Sequence, residues 1–167
     1  TDPKFGGGAC LVCKSGRDMW GRTETWYVIN KQGRAIKLNA KIIDSAPFNK
    51  DGYALIIKTV NDRYSKCTYI DRQGREVFPA LAQTMLTVGA QCPEEARPFS
   101  DGLAAFYDMD KRRYGFFNKA GKIVCPATYL KVQDFSEGLA AVKVPENGGR
   151  WGFIDAVSYT HLTLPTT

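Results

Sequence analysis

Cys10-Leu11-Val12-Cys13 is a C-x-x-C, the spacing of half a tetrahedral zinc site or of a redox-active thiol pair. A closed zinc site needs two more ligands, and no second C-x-x-C follows; the one histidine is His161. The plainer reading is two small hydrophobes in a strand. Gly6-Gly7-Gly8 has the freedom of a phosphate-cradling loop but lacks the Gly-Lys-Ser/Thr or helix opening that such loops require, so it reads as a turn. Asp71 and Asp155 recur at one place in the sequence, and Asn30 and Asn118 occupy the same place elsewhere. Carboxylates that work as an acid–base pair must converge in different environments. A position that alternates Asp with Asn gives up its charge in half its copies, which suits turn capping instead. Asp101 and Glu137 each precede a Gly and read as solvated turn residues. Asp108 to Arg113, flanked by Tyr107 and Tyr114, offers cations and rings to a polyanion, but a solvated hairpin tip is the commoner meaning. Nothing here converges on a reaction, so the chain reads as non-catalytic, with no catalytic residues, cofactor or metal.

The residues that would carry function are therefore those that repeat. Phe5-Gly6-Gly7-Gly8-Ala9-Cys10-Leu11-Val12 has the pattern of Phe99-Ser100-Asp101-Gly102-Leu103-Ala104-Ala105-Phe106 and of Phe135-Ser136-Glu137-Gly138-Leu139-Ala140-Ala141-Val142. With one residue inserted, it returns at Phe48-Asn49-Lys50-Asp51-Gly52-Tyr53-Ala54-Leu55-Ile56. A second pattern alternates with it, an aromatic residue, then apolar residues, then Asp or Asn and a turn closed by Gly. Its copies run from Trp26 to Gly33, from Cys67 to Gly74, from Tyr114-Gly115 to Gly121, and over Trp151-Gly152-Phe153-Ile154-Asp155. The Phe anchors stand roughly 35–50 residues apart, a period typical of solenoids and propellers.

Each half of the repeat has a physical task. Phe-x-x-Gly sets an apolar anchor before a tight turn in which Gly52, Gly102 or Gly138 adopts φ > 0 without a Cβ clash. The Leu-Ala-Ala-Val type of run that follows is a strand of little bulk. Pro145-Glu146-Asn147-Gly148-Gly149 carries an Asn-Gly hairpin signal, after which Trp151-Gly152-Phe153-Ile154-Asp155 returns as the second strand. Gly within that strand lets a ring or a backbone lie close. Lys122-Ile123-Val124-Cys125 is a third short strand ending at Pro126. A single hairpin is marginal in water, so stability must come from stacking each unit on its neighbours.

Composition agrees with a folded, turn-rich β chain: 44% hydrophobic and 12% aromatic residues argue against disorder, and 16 Gly with 8 Pro favour many short strands over long helices. The formal charge of +6 comes from 23 basic and 17 acidic residues that are interspersed, so it does not single out a polyanionic partner. Five cysteines cannot all pair within one chain. No apolar run is long enough for a membrane-spanning helix. Ala80 to Val88, between Pro79 and Gly89, stands outside the repeat and reads as a short helix or an inserted loop.

The pair of motifs, Phe135-Ser136-Glu137-Gly138-Leu139-Ala140 followed by Arg150-Trp151-Gly152-Phe153-Ile154-Asp155, resembles the WG (or KWG) repeat found in many bacterial proteins. The resemblance extends over about residues 5–155, strongest in the last two units. Tyr27 stands where the motif has Gly, and Cys67-Thr68 replaces Trp-Gly. It implies a β-rich repeat domain used for interaction, with no shared catalytic residues and no common ligand.

The expectation is thus an all-β, tandem β-hairpin array, solenoid- or propeller-like and truncated, with units over residues 5–47, 48–98, 99–134 and 135–156. Phe5, Gly8, Trp26, Gly33, Phe48, Gly52, Gly74, Phe99, Gly102, Tyr114, Gly115, Gly121, Phe135, Gly138, Trp151 and Gly152 are its structural motif residues. Residues 157–167 resemble the in-frame translation of a transposase-adapter end and are expected to be foreign to the fold. The expected role is protein–protein or surface interaction and scaffolding, or carbohydrate and cell-wall binding through exposed aromatic rings. Protein or a surface polymer is the expected partner, rather than nucleic acid.

Overall fold

The computed structural model describes residues 5–81, 83–85 and 96–157. The chain is all-β and divides into two compact units, residues 1–96 and 97–167. In the first, β1 (Ala9–Asp18), β2 (Gly21–Asn30) and β3 (Ala35–Lys37) form an antiparallel sheet in that order. A second sheet joins β4 (Ile42–Ser45), β5 (Ala54–Thr59) and β6 (Ser65–Ile70), with β7 (Glu76–Val77) and β8 (Gln83–Met85) both pairing with β6. In the second unit, β9 (Leu103–Asp108), β10 (Arg113–Asn118) and β11 (Ile123–Tyr129) make one sheet, and β12 (Lys131–Val132), β13 (Leu139–Lys143) and β14 (Trp151–Asp155) the next.

The Phe-turn-Gly motif leads into three of the four main hairpins with one geometry. Ser100 and Leu103 exchange both backbone hydrogen bonds across Asp101-Gly102, whose φ values of 52° and 76° define a two-residue turn with both residues left-handed. Glu137-Gly138 and Gly7-Gly8 repeat it. The residue inserted after Phe48 changes the device: Asn49 Oδ1 accepts from the amides of Asp51 and Tyr53, and its Nδ2 donates to the Ala96 carbonyl at 3.1 Å.

The strand leading into a Phe anchor pairs with the hairpin that follows it. Val132 lies opposite Val142, and Ser45 opposite Ile56, so β4 and β12 are edge strands of the later sheets. Successive sheets within a unit then share a core. Ala9, Val28 and Leu38 of the first sheet pack with Ile42, Phe48, Ala54, Ile56 and Ile70 of the second. In the other unit, Leu103, Ala105, Phe116 and Cys125 pack with Val132, Phe135, Ala140, Val142 and Ile154. The sheet of β9–β11 is covered on both faces. Phe116 meets Phe135 at a 4.9 Å centroid separation, while its neighbour Phe117 points the other way and meets Phe99 at 5.1 Å. That is why Leu103–Phe106 is buried without alternation, whereas β14 alternates exposed and buried.

Three local readings differ in the structure. The segment after Pro79 is a 3-10 turn, Pro79–Leu81, followed by β8, whose Gln83 and Thr84 pair with Cys67 and Lys66; pairing to an open strand edge outweighs its helix propensity. Residues 86–95 lie outside those described. The third strand does not stop at Pro126: between Phe116↔Cys125 and Tyr114↔Tyr129 it takes up extra residues as a bulge, and as an edge strand it tolerates a residue without an N–H. The Asn147-Gly148 link is wider than a two-residue turn. Glu146–Gly148 forms a 3-10 turn capped by left-handed Gly149, and the Val144 amide bonds to the Arg150 carbonyl at 2.9 Å.

Candidate interaction surface

The motif residues fall into two groups, those that join hairpins and those left facing solvent. The joints are at the Phe-turn-Gly turns. Ser100 Oγ donates to the Phe135 carbonyl, and the Gly138 amide donates to Asp101 Oδ2 at 2.9 Å, so the Phe99 turn holds the Phe135 turn. In the first unit the approach is closer. A Cβ on Gly6 would stand 1.7 Å from the Phe48 carbonyl oxygen, and one on Gly7 2.0 Å from that of Asn49, while Arg72 Nε donates to the Gly7 carbonyl. The Gly8 and Gly52 backbones complete these turns at φ 88° and 84°, and Arg72 fills the space where a Gly52 Cβ would lie.

At the far end of each second strand the Asx position has one geometry in three copies. Asn30 Oδ1 accepts from the amides of Gln32 and Arg34, Asp71 Oδ1 from Gln73 and Arg75, and Asn118 Oδ1 from Ala120 and Lys122, all at 2.9–3.1 Å. Gly33, Gly74 and Gly121 close these turns with positive φ. One oxygen does the work, which is the reason Asn and Asp interchange. Asp155 keeps the first of these bonds, to the Val157 amide. A Cβ on Gly115 would meet the Cys125 carbonyl oxygen at 2.4 Å and the ring of its register partner Phe106 at 2.8 Å. Tyr27 and Thr68, at the same repeat position, face the smaller Val12 and Ile56.

The candidate reactive groups are dispersed. Cys10 and Cys13 lie three residues apart on β1, so their side chains leave opposite faces of the sheet and cannot close on one ion. Burial raises both thiols, with Glu24 adding to the shift at Cys13, and it pushes Cys125 up to about 11. Burial likewise raises the hydroxyls of Tyr69 and Tyr129. Among the described residues no three His, Cys, Asp or Glu side chains gather as metal ligands, and no helix is long and apolar enough to cross a membrane. Tyr107 and Tyr114 face each other at 4.8 Å across the register pair, above a charged loop in which Asp108 Oδ1 accepts from the Lys111 amide. His161 and residues 158–167 lie outside those described.

Residues 114–147 match the family described as WG containing repeat. That segment is similar to a WG repeat. Its matched span starts at Tyr114-Gly115 in β10, crosses from β11 to β12 and takes in the Phe135 turn and β13. The matched span thus straddles two sheets and encloses the joint between them. No curated protein matches the chain.

Several large apolar side chains are exposed in each unit. Leu139 is 49% exposed, Trp151 41% and Phe153 46%, all on one face of the last sheet, and Phe5 is 53% exposed before the first. Met19 and Trp20 project almost fully exposed from the tip of the long β1–β2 hairpin, where Asp18 Oδ1 caps the Trp20 amide. Sequence periodicity points to the first set only as copies of buried positions. It passes over Trp20, whose signal is an aromatic residue inside an Asp18-to-Gly21 turn that needs no apolar side chain.

Proposed function

We propose that the chain is a non-catalytic repeat module that holds or spaces other macromolecules through the surfaces of its stacked hairpins. The carrying observation is that the recurring polar motif groups are engaged with the main chain of their own or the next turn: Asn30, Asp71 and Asn118 in Asx turns, Ser100 and Asp101 across the joint. Side chains committed to main-chain partners position hairpins and are poorly placed to move protons or attack a substrate. The WG containing repeat within residues 114–147 supports the same reading. Binding of the purified chain to a panel of proteins and surface polymers tests it. Saturable binding lost on surface substitution, with the fold intact, is the expected result. Turnover of a substrate, abolished by one point substitution, overturns it.

A carbohydrate- or cell-wall-binding role is the second reading, and Trp20 favours it. A flat ring presented clear of the sheet at a hairpin tip is suited to stacking on a sugar face. A glycan array with the parent chain and Trp20→Ala decides between the two. Glycan binding lost in the variant supports this reading, and no glycan binding by the parent sinks it.

A further inference from the structure

The four main hairpins are of similar length except the first. Strands β5, β6, β9 and β10 hold six residues each and β13 and β14 five, whereas β1 and β2 hold ten. Counted from the Phe-turn-Gly motif, the pair Lys14↔Thr25 stands where Asp108↔Arg113 ends the β9–β10 ladder. Four further pairs, from Ser15↔Glu24 to Asp18↔Gly21, carry the tip roughly 13 Å outward at about 3.3 Å per residue. β3 pairs with β2 only at Tyr27, Val28 and Ile29. Among the described strands the extension is therefore a bare two-stranded arm, exposed almost throughout. Its exposure comes from the added length, because the other hairpins end at the level of its base.

The arm ends in two apolar side chains that its turn does not require. Asp18 Oδ1 caps the Trp20 amide and Gly21 takes φ 128°, while Met19 and Trp20 keep ordinary negative φ and stand 89% and 91% exposed. Just behind them Arg17 and Arg22 are register partners on one face of the ribbon. Like charges set opposite one another weaken a ladder, so this pair contributes no stability to the fold. The ion pair within the arm, Arg22 to Glu24 at 3.9 Å, is loose and solvated. Lys14 adds a third cation nearer the base, and Asp18 is held in the turn. We propose that this arm docks the chain on an anionic phospholipid surface. Trp20 and Met19 enter the boundary between headgroups and acyl chains, and Arg17 and Arg22 rest on the phosphates. An indole, with its apolar ring and polar N–H, suits that boundary, and guanidinium groups pair bidentately with phosphate oxygens. Nucleic acid would ask for a denser run of cations than three against two carboxylates. A sugar face would make no use of the facing arginines. This goes beyond the proposed module function and gives Trp20 a contact other than sugar stacking.

The test is co-sedimentation of the full chain with vesicles of phosphatidylcholine, alone or mixed with phosphatidylglycerol. All substitutions lie on the solvated arm, and circular dichroism verifies that each variant folds. The parent is expected to bind the mixed vesicles better than the neutral ones, and more weakly as salt rises. Met19→Ser combined with Trp20→Ser should lower vesicle binding at least about tenfold, through the lost apolar burial. Arg17→Gln combined with Arg22→Gln should bring binding to the mixed vesicles down to the neutral level. Trp20→Leu keeps an apolar tip for lipid but removes the flat ring that a sugar needs, and is expected to retain vesicle binding. A parent that ignores the mixed vesicles overturns the proposal, as does binding left unchanged by either double variant. Glycan binding through Trp20 without vesicle binding overturns it too, and assigns the tip to the sugar reading.

Discussion

The Gly138 amide donates a hydrogen bond to Asp101 Oδ2 at 2.9 Å, across 37 residues of sequence. Both residues belong to the same kind of turn in successive repeats, so a side chain of one turn caps the backbone of the next. Glu137 occupies the position of Asp101 one repeat later, and both sit at φ 52°. A left-handed backbone costs an ordinary L-residue about 1–2 kcal/mol, and Gly avoids that strain while giving back part of it as chain entropy. Glu137→Gly is therefore expected to stabilise the chain by about 0.5–1 kcal/mol. Asp101→Gly relieves the same strain but loses the bond to Gly138, and should be neutral or destabilising. Urea midpoints of the two variants side by side read the difference, and equal gains would remove the Asp101–Gly138 bond from the account.

Phe135 and Phe5 share a motif position but not a neighbour. Phe135→Ala empties a site against Phe116 and should cost about 3–5 kcal/mol. Phe5→Ala removes a half-exposed ring and should cost well under about 1.5 kcal/mol. Thermal melts of dilute samples compare the two. Similar losses would mean that Phe5 is covered.

Gly6 and Gly115 lack a Cβ for reasons of space. Gly6→Ser moves the first motif toward Phe99-Ser100 and Phe135-Ser136, yet the added Cβ would stand 1.7 Å from a backbone oxygen. It should destabilise by about 2–3 kcal/mol despite matching the other copies, and Gly115→Ala should do the same against Cys125 and Phe106. Denaturant unfolding of both variants checks this, with unchanged midpoints as the contrary outcome.

Asn118 holds two amides with one oxygen. Asn118→Ala should cost about 1–2 kcal/mol, near the sum of two modest hydrogen bonds, whereas Asn118→Asp should be almost silent because Asp71 already performs the task. A variant pair whose melting temperatures fall together would contradict the single-oxygen explanation.

Cys125 sets an alkaline limit. Burial raises its thiol from 9.0 to about 11. The folded value lies above the unfolded one, so the contribution to stability is whole below about pH 9 and drains away as pH rises toward 11. Tyr69 and Tyr129 are raised by burial also, and act in the same direction at higher pH. Urea midpoints should fall over this interval, and less steeply in Cys125→Val. At about pH 8, iodoacetamide should modify Cys13 ahead of Cys10, Cys67 and Cys125 in the folded chain, since Cys13 alone of the four is not buried. Site-resolved mass spectrometry reads the order.

Sequence by itself determined the β class, the Phe-turn-Gly and Asx-turn motifs and their recurrence, because these depend on local chemistry: which residues accept positive φ, which side chains cap a turn, and where polarity alternates. Tertiary structure alone decided what each copy meets. Phe5, Phe48, Phe99 and Phe135 look alike in sequence, yet Phe5 is half exposed while the other three are buried. The passage of β11 beyond Pro126, the pairing of β8 with β6, and the Gly115 contact with Phe106 and Cys125 depend likewise on backbone brought close from elsewhere in the chain. Hydrogen bonds and burial of that kind are set by through-space neighbours, which a repeating motif announces but does not place.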